Sequence, residues 1–281
     1  MFLSGLKDFT IVKPPRTLLS WSSGKDAAWT LHTLRQSGAA QVVALITTVN
    51  REFDRVAMHA VRRDLLEMQA KAVGLPLVVV PLPWPCTNEQ YELAMISALD
   101  HARIRYHVSH VAFGDLFLED VRGYREKQLE GTGLQPLFPL WEQPTRALAE
   151  EMIDGGLVAY LTCVDPRRLS ASFAGRRFDR DLLAELPSGV DPCGENGEFH
   201  TCVTSGPMFS QPFNVTPGEI VERDGFVFAD LRLDIPNSVP DPPLFDADGA
   251  LTREFLLARG SCCGNRCRNC PYNWEAVPGN P

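Results

Sequence analysis

Thr17-Leu18-Leu19-Ser20-Trp21-Ser22-Ser23-Gly24-Lys25-Asp26-Ala27-Ala28 is the stretch that decides the fold. Its first five residues form an apolar run of strand length, which passes directly into Ser22-Ser23-Gly24. From Lys25 to Arg35 the apolar residues Ala27, Ala28, Leu31 and Leu34 recur at helical spacing. A helix that starts this way presents unpaired N–H groups to any anion. Gly24 lets the backbone approach a phosphate closely. Lys25 supplies a point charge, and Ser20, Ser22 and Ser23 offer hydroxyls. Asp26 would repel phosphate unless Mg²⁺ lies between them, so the loop reads as a cradle for a magnesium nucleotide. It is not the G-x-x-x-x-G-K-[ST] loop, because Leu19 and Asp26 stand at its first and last positions. Serines before a helix also make an ordinary N-cap, and the local sequence alone leaves both readings open.

Working outward, strands are expected at 41–48, 77–80, 110–114, 136–140 and 158–164. Helices are expected at 59–73, 88–103, from near Glu119, and at 145–153. Strand alternating with helix at this spacing predicts βαβ units and a parallel sheet, an α/β fold with its ligand at the carboxyl ends of the strands. Ser22–Asp26, Thr47-Thr48 and Gly114-Asp115 fall at those ends. The reading divides the chain into an N-terminal extension (1–16), a nucleotide-binding domain (17–165) and a smaller α+β second domain (166–235). A proline-rich linker with one short helix (236–260) and a Cys-rich tail (261–281) follow. In the second domain, 219–233 reads as a hairpin around Asp224-Gly225.

Composition narrows the function. With 35 acidic against 27 basic residues the net charge is −8, which disfavours broad nucleic-acid binding. Arg167, Arg168, Arg176, Arg177 and Arg180 nevertheless crowd together and leave a local basic groove open. No apolar run reaches the length of a membrane helix, and residues 1–15 have no signal-peptide layout, so a cytoplasmic location is expected. Cys262, Cys263, Cys267 and Cys270 pack four thiols into nine residues. Thiolates so spaced suit Zn²⁺ first and an iron–sulfur cluster second; an unmetallated, oxidisable tail is the plain alternative.

Two further blocks carry chemistry. One is Gly114-Asp115-Leu116-Phe117-Leu118-Glu119-Asp120-Val121-Arg122-Gly123-Tyr124-Arg125-Glu126, followed by Pro136 to Trp141. Arg122 and Arg125 are candidates to hold a phosphate or substrate carboxylate, although a solvated helix face with i,i+4 ion pairs reads equally well. The other is Asp191-Pro192-Cys193-Gly194-Glu195-Asn196-Gly197-Glu198-Phe199-His200-Thr201. Two glycines and two carboxylates in Gly194–Glu198 suit no ordinary core element, although a polar surface turn has a similar composition. Glu195 and Glu198 are candidate bases or Mg²⁺ ligands, with Gly194 and Asn196 beside the substrate.

Taken together, these blocks make the chain resemble the PP-loop ATP pyrophosphatases, also called adenine nucleotide alpha hydrolases. Ser22–Ala27 is similar to their S-G-G-K-D-S signature, with Ser23 in place of the first Gly and Ala27 in place of the last Ser. The middle and third blocks, and His59 before the second helix, are similar to the diphthine–ammonia ligase branch. His200 departs from it, standing where that branch has an acid. The resemblance spans about residues 17 to 233. It implies a HUP or Rossmann-like parallel sheet with helices on both faces, and ATP with Mg²⁺ as reactants. It implies nucleotide contacts from Ser20, Ser22, Ser23, Gly24, Lys25, Asp26, Thr47, His59, Gly114 and Asp115, and catalysis by Lys25, Asp26, Glu195 and Glu198. The implied reaction is adenylation of a substrate carboxylate and its amidation by ammonia or an amine, the branch's own substrate being diphthine on translation elongation factor 2. The tail resembles small C-C-G-x-x-C-x-x-C-P-Y modules at protein ends. Two other readings stand beside the ligase: a tRNA sulfur transferase, in which Cys86, Cys163 or the tail is essential, and an ATP-binding sensor that makes no AMP.

Overall fold

The computed structural model describes residues 13–56, 59–234, 246, 248, 250, 252–258 and 268–272. The chain divides into two units, Met1–Asp234 and Ile235–Pro281. Among the described residues no helix is long and apolar enough to cross a membrane.

The first unit begins with a doubly wound sheet. Strands β1 (Arg16–Ser20), β2 (Gln41–Asn50), β4 (Leu77–Leu82), β5 (His110–Ala112) and β6 (Gln135–Leu137) are parallel, in the order β4-β2-β1-β5-β6. A short strand, β3 (Arg55–Val56), pairs antiparallel with the end of β2. The helices are α1 (Lys25–Ser37), α2 (Arg63–Val73), α3 (Asn88–Tyr106), α4 (Glu119–Leu129) and α5 (Thr145–Asp154). Alternation along the strands explains why both faces are covered. Leu19 and Leu45 pack into one core with Leu31 of α1 and Leu66 of α2. Leu18, Ala44 and Ile46 enter a second core with Leu99 of α3 and Leu129 of α4. Strand order reverses at β1, whose neighbours β2 and β5 lead in opposite directions across the sheet. A crevice therefore opens between the loops after β1 and after β5.

The helix ends follow local chemistry. The α1 helix ends at Gly38 and α2 at Gly74, both with positive φ. Thr87 and Gln90 form a reciprocal capping box at the start of α3. His59 lies before α2 rather than inside it. The chain at 59–62 is held by backbone bonds between Val56 and Val61, and Ala60 has φ 53°, which interrupts any helix there.

Strand β7 (Val158–Val164) does not join the parallel sheet. It pairs antiparallel with β8 (Phe199–Ser205) and with β10 (Phe226–Leu233), which in turn pairs with β9 (Val215–Arg223). The four-stranded order is β8-β7-β10-β9. The expected hairpin is present, and Asp224 and Gly225 both have positive φ, as a two-residue turn of this hand requires. A short helix, α6 (Arg180–Glu185), capped by Asp179, and β8 both lie where the sequence showed no clear periodicity.

In the second unit α7 spans Arg253–Ala258. Asp246 accepts bonds from the Asp248 and Ala250 amides and from Arg268 and Asn269. Cys262, Cys263 and Cys267 lie outside the described residues; Cys270 is half-buried.

Candidate functional site

A cavity of about 400 Å³ opens at the crevice between β1 and β5. Its walls include Ser20, Ser22, Lys25 and Asp26 from the first loop, Thr47 from β2, and His59. Gly114 and Asp115 after β5, Arg125 of α4, and Gly194 and Glu195 also line it, whereas Ser23, Gly24, Arg122, Asn196 and Glu198 do not. Residues more than 170 positions apart thus meet around one space.

The first loop is built tightly. Ser23 takes φ 73°, a left-handed conformation that costs a non-glycine residue roughly 1 kcal/mol. Its carbonyl accepts from the Val203 amide at 3.0 Å and from the Gln69 side chain at 3.0 Å. Gln69, fully buried, also donates to the Val203 carbonyl at 2.7 Å and accepts from the Trp21 indole at 2.9 Å. Ser23 is itself fully buried and does not line the cavity, and its hydroxyl has no partner. Gly24 caps α1, and a Cβ there would lie 3.0 Å from the His59 ring. Gly114 packs on the start of α1, where a Cβ would lie 2.9 Å from the Asp26 backbone.

Lys25 is 2 % exposed. Its ammonium donates to both Asp26 oxygens, at 2.9 and 2.8 Å, and to the Cys193 carbonyl. The rings of Phe178 and Phe199 lie within 5.7 Å of it. Burial disfavours the ammonium, but Asp26 above all, with Glu195 behind it, more than offsets that penalty and raises its pKa. Burial also lifts Asp26 above the usual carboxylate range, with Lys25 pulling the other way. The Lys25 amide is bound by the Thr201 hydroxyl at 3.1 Å, tying the start of α1 to β8.

Three wall residues carry no assigned role in the sequence reading. His200 lines the cavity and packs at a tilt against His59, ring centroids 4.6 Å apart, and His59 contacts the Thr201 carbonyl. Burial drives both imidazoles down, His59 to about 3 with His200 adding to the effect, and His200 to about 4 with Lys25 adding to it. Both are therefore neutral at pH 7. Cys193 and Gln128 are the other additions to the wall. Gln128 is brought in by packing with no local motif to announce it, whereas His200 and Cys193 sit in the Asp191–Thr201 block without an assigned role.

Glu195 is a strongly perturbed carboxylate of the cavity. Burial pushes it up to about 7, against the opposing Leu116 amide, which donates to its Oε1 at 2.7 Å. Asp115 is also raised by burial, and Arg125 opposes the shift from 3.5 Å. One Asp115 oxygen is buried with no hydrogen-bond partner.

Other predicted residues are placed elsewhere. Glu198 is 1 % exposed and turns into its own loop, accepting from the Asp191 amide at 3.0 Å and from Asn196 at 3.1 Å. Neither Glu198 nor Asn196 lines the cavity. Arg122 lies on the outer face of α4, paired with Glu126 and stacked 5.0 and 4.7 Å from the rings of Phe138 and Trp141. In the basic cluster Arg167 and Arg168 pair with Asp165, Arg176 with Glu185 and Arg180 with Asp154. The Cys163 thiol is buried and pushed up to about 12, a poor sulfur carrier. Among the described residues no group of three or more His, Cys, Asp or Glu is placed to hold a metal ion by itself.

Comparison with known proteins gives consistent matches over most of the first unit. Residues 15–136 match the family model described as diphthamide synthase N-terminal domain, and residues 144–231 match diphthamide synthase C-terminal domain. Residues 249–276 match a family of unknown function, DUF5522. A zebrafish (Danio rerio) protein named diphthine–ammonia ligase is 27 % identical over 229 residues, covering 74 % of this chain and 89 % of the relative. The human protein of the same name is 26 % identical over 251 residues, covering 78 % and 93 %. The fission yeast (Schizosaccharomyces pombe) protein is 25 % identical over 220 residues, covering 72 % of this chain but 36 % of its own length.

Proposed function

Because the chain belongs to the diphthine–ammonia ligase-like branch of the PP-loop family, we propose that it is a cytoplasmic, ATP-dependent, amide-forming ligase that adenylates a carboxylate and passes it to ammonia. The observation that carries the reading is the convergence of the Ser22–Asp26 loop, Asp115 and Glu195 on one cavity at the strand-order reversal.

The triphosphate lies on the start of α1, where Ser22, the helix N–H groups and Lys25 meet its charge. A substrate carboxylate oxygen attacks the α-phosphorus, the bond to the β-phosphate breaks, and pyrophosphate leaves. Lys25, desolvated and preorganised by Phe178 and Phe199, stabilises the charge that develops there. Asp26 and Asp115 are the residues that would hold Mg²⁺, together with phosphate oxygens. The fit is supported by the raised proton affinity of Asp26 and by the buried Asp115 oxygen that makes no hydrogen bond, its ion pair to Arg125 being 3.5 Å long. Bound there, Mg²⁺ supplies charge neutralisation on the phosphates.

Ammonia then attacks the acyl carbon, AMP leaves, and the amide forms. Glu195 takes the surplus proton; with its pKa near 7 it is matched to that task at neutral pH. The neutral His59–His200 pair accepts hydrogen bonds from the nitrogen nucleophile without competing for the phosphates. Diphthine is the first acceptor to test, since the relatives carry it in their names. The experiment supplies ATP, Mg²⁺, ammonium and diphthine-bearing elongation factor 2, and follows carboxylate-to-carboxamide conversion by mass spectrometry. Conversion that requires ATP supports the reading. ATP consumption that yields ADP sinks it.

A further inference from the structure

The reaction chemistry leaves one wall of the cavity unexplained. Away from the phosphate loop the lining is apolar: Ile46, Met95, Leu99, Val111, Phe113 and Leu129 come from the strand ends, α3 and α4. A charged carboxylate or a triphosphate has no place against such a surface. A planar heteroaromatic ring does, because its faces need apolar contact and only its edge needs hydrogen bonds. Gln128 is set into this stretch. It lies one helical turn beyond Arg125 and beside Leu129, so one face of α4 delivers all three residues to the cavity. The Gln128 Nε2 is buried and has no hydrogen-bond partner in the protein. A buried amide donor is rarely left without a partner, so an orphan at a cavity wall points to a ligand atom.

We propose that Gln128 is the residue that selects the nucleobase, its carboxamide reading the edge of adenine within the recess between α3 and α4. The proposal rests on the ATP reading above and adds the determinant of base choice. A carboxamide offers a donor and an acceptor side by side in one plane. Adenine offers the complement, a 6-amino donor beside a ring-nitrogen acceptor. The phosphate loop contacts only what all nucleoside triphosphates share and cannot make this distinction.

The test is an equilibrium binding cycle with ATP, purine riboside triphosphate (which lacks the 6-amino group) and inorganic tripolyphosphate. The proteins are the wild-type chain, Gln128→Leu and Gln128→Met. The wild-type chain binds ATP about tenfold more tightly than purine riboside triphosphate. Both variants lose that ratio, binding the two nucleotides alike, while their tripolyphosphate affinity stays at the wild-type value and shows the phosphate cradle intact. Variants that keep the wild-type ratio overturn the assignment of Gln128 and leave the ligase reading standing. A wild-type chain that binds neither ATP nor tripolyphosphate overturns both.

Discussion

At the scale of single residues, the departures from the family signature have separate physical consequences. Ser23 stands where the signature has glycine, and its φ of 73° shows why glycine suits the position. Its hydroxyl adds a buried, unpartnered oxygen. Ser23→Gly is therefore expected to raise stability by about 1 kcal/mol in chemical denaturation without loss of ATP binding; a destabilised variant would contradict this account of the loop. Glu195 makes a pH-dependent prediction. As the base it must be ionised, so turnover rises with pH through about 7. Glu195→Gln removes that limb and lowers kcat about 100-fold or more. The stability sign is opposite. A folded pKa raised from 4.5 means that the protonated form's advantage is whole below 4.5 and gone above about 7. Wild type should lose stability relative to Glu195→Gln across that interval, as measured by denaturation at several pH values. The sequence made Lys25, Asp26 and Glu195 legible because each belongs to a short motif whose chemistry is local. It gave no means to separate Arg125, in the cavity, from Arg122, three residues away on the outer face, since the direction of a helix face is set by packing. Gln69 and Gln128 were invisible for the same reason, and His200, read only as a departure from the family block, gave no sign of its place beside His59.

At the scale of elements, the strand–helix alternation was readable and the sheet membership was not. β7 has the same apolar character as the parallel strands and follows α5 at the same spacing, yet it pairs with β8 and β10. Periodicity reports which face of a strand is buried and says nothing of which strand lies beside it. β8 escaped detection because its buried polar residues Thr201 and Thr204 blur the alternation. The element contact on which the site most depends is the approach of the β5 loop to α1 at Gly114. A Cβ there would lie 2.9 Å from the Asp26 carbonyl carbon, against backbone that cannot swing away. Gly114→Ala should displace this loop and weaken ATP binding at least tenfold, whereas Gly123→Ala, at a position with open space around it, should leave binding unchanged. Equal affinities in isothermal titration would show that the crevice does not need the close approach.

At the scale of the molecule, the site exists because two sheets are fastened to one loop. Gln69 links Trp21, Ser23 and Val203, and Thr201 holds the Lys25 amide. Arg55 and Arg62 both clasp Asp230 of β10, fixing the segment that carries His59. Gln69→Leu leaves an indole N–H and two carbonyls short of a partner in a buried setting, so it should cost about 2–4 kcal/mol of unfolding free energy. A near-neutral result would mean that the sheets are held by apolar packing alone. The order of the parallel strands, with the reversal at β1, gives the loop its anion-binding position, and from that position follows the central claim that ATP is cleaved between its α- and β-phosphates over Lys25. The most direct measurement is ³¹P NMR of the nucleotide products formed with ATP, Mg²⁺, ammonium and the carboxylate acceptor, for wild type and Lys25→Ala. The account predicts AMP and pyrophosphate in equal amounts, with the rate falling at least 100-fold in the variant. ADP and phosphate as products, or a Lys25→Ala protein that turns over at the wild-type rate, would contradict it.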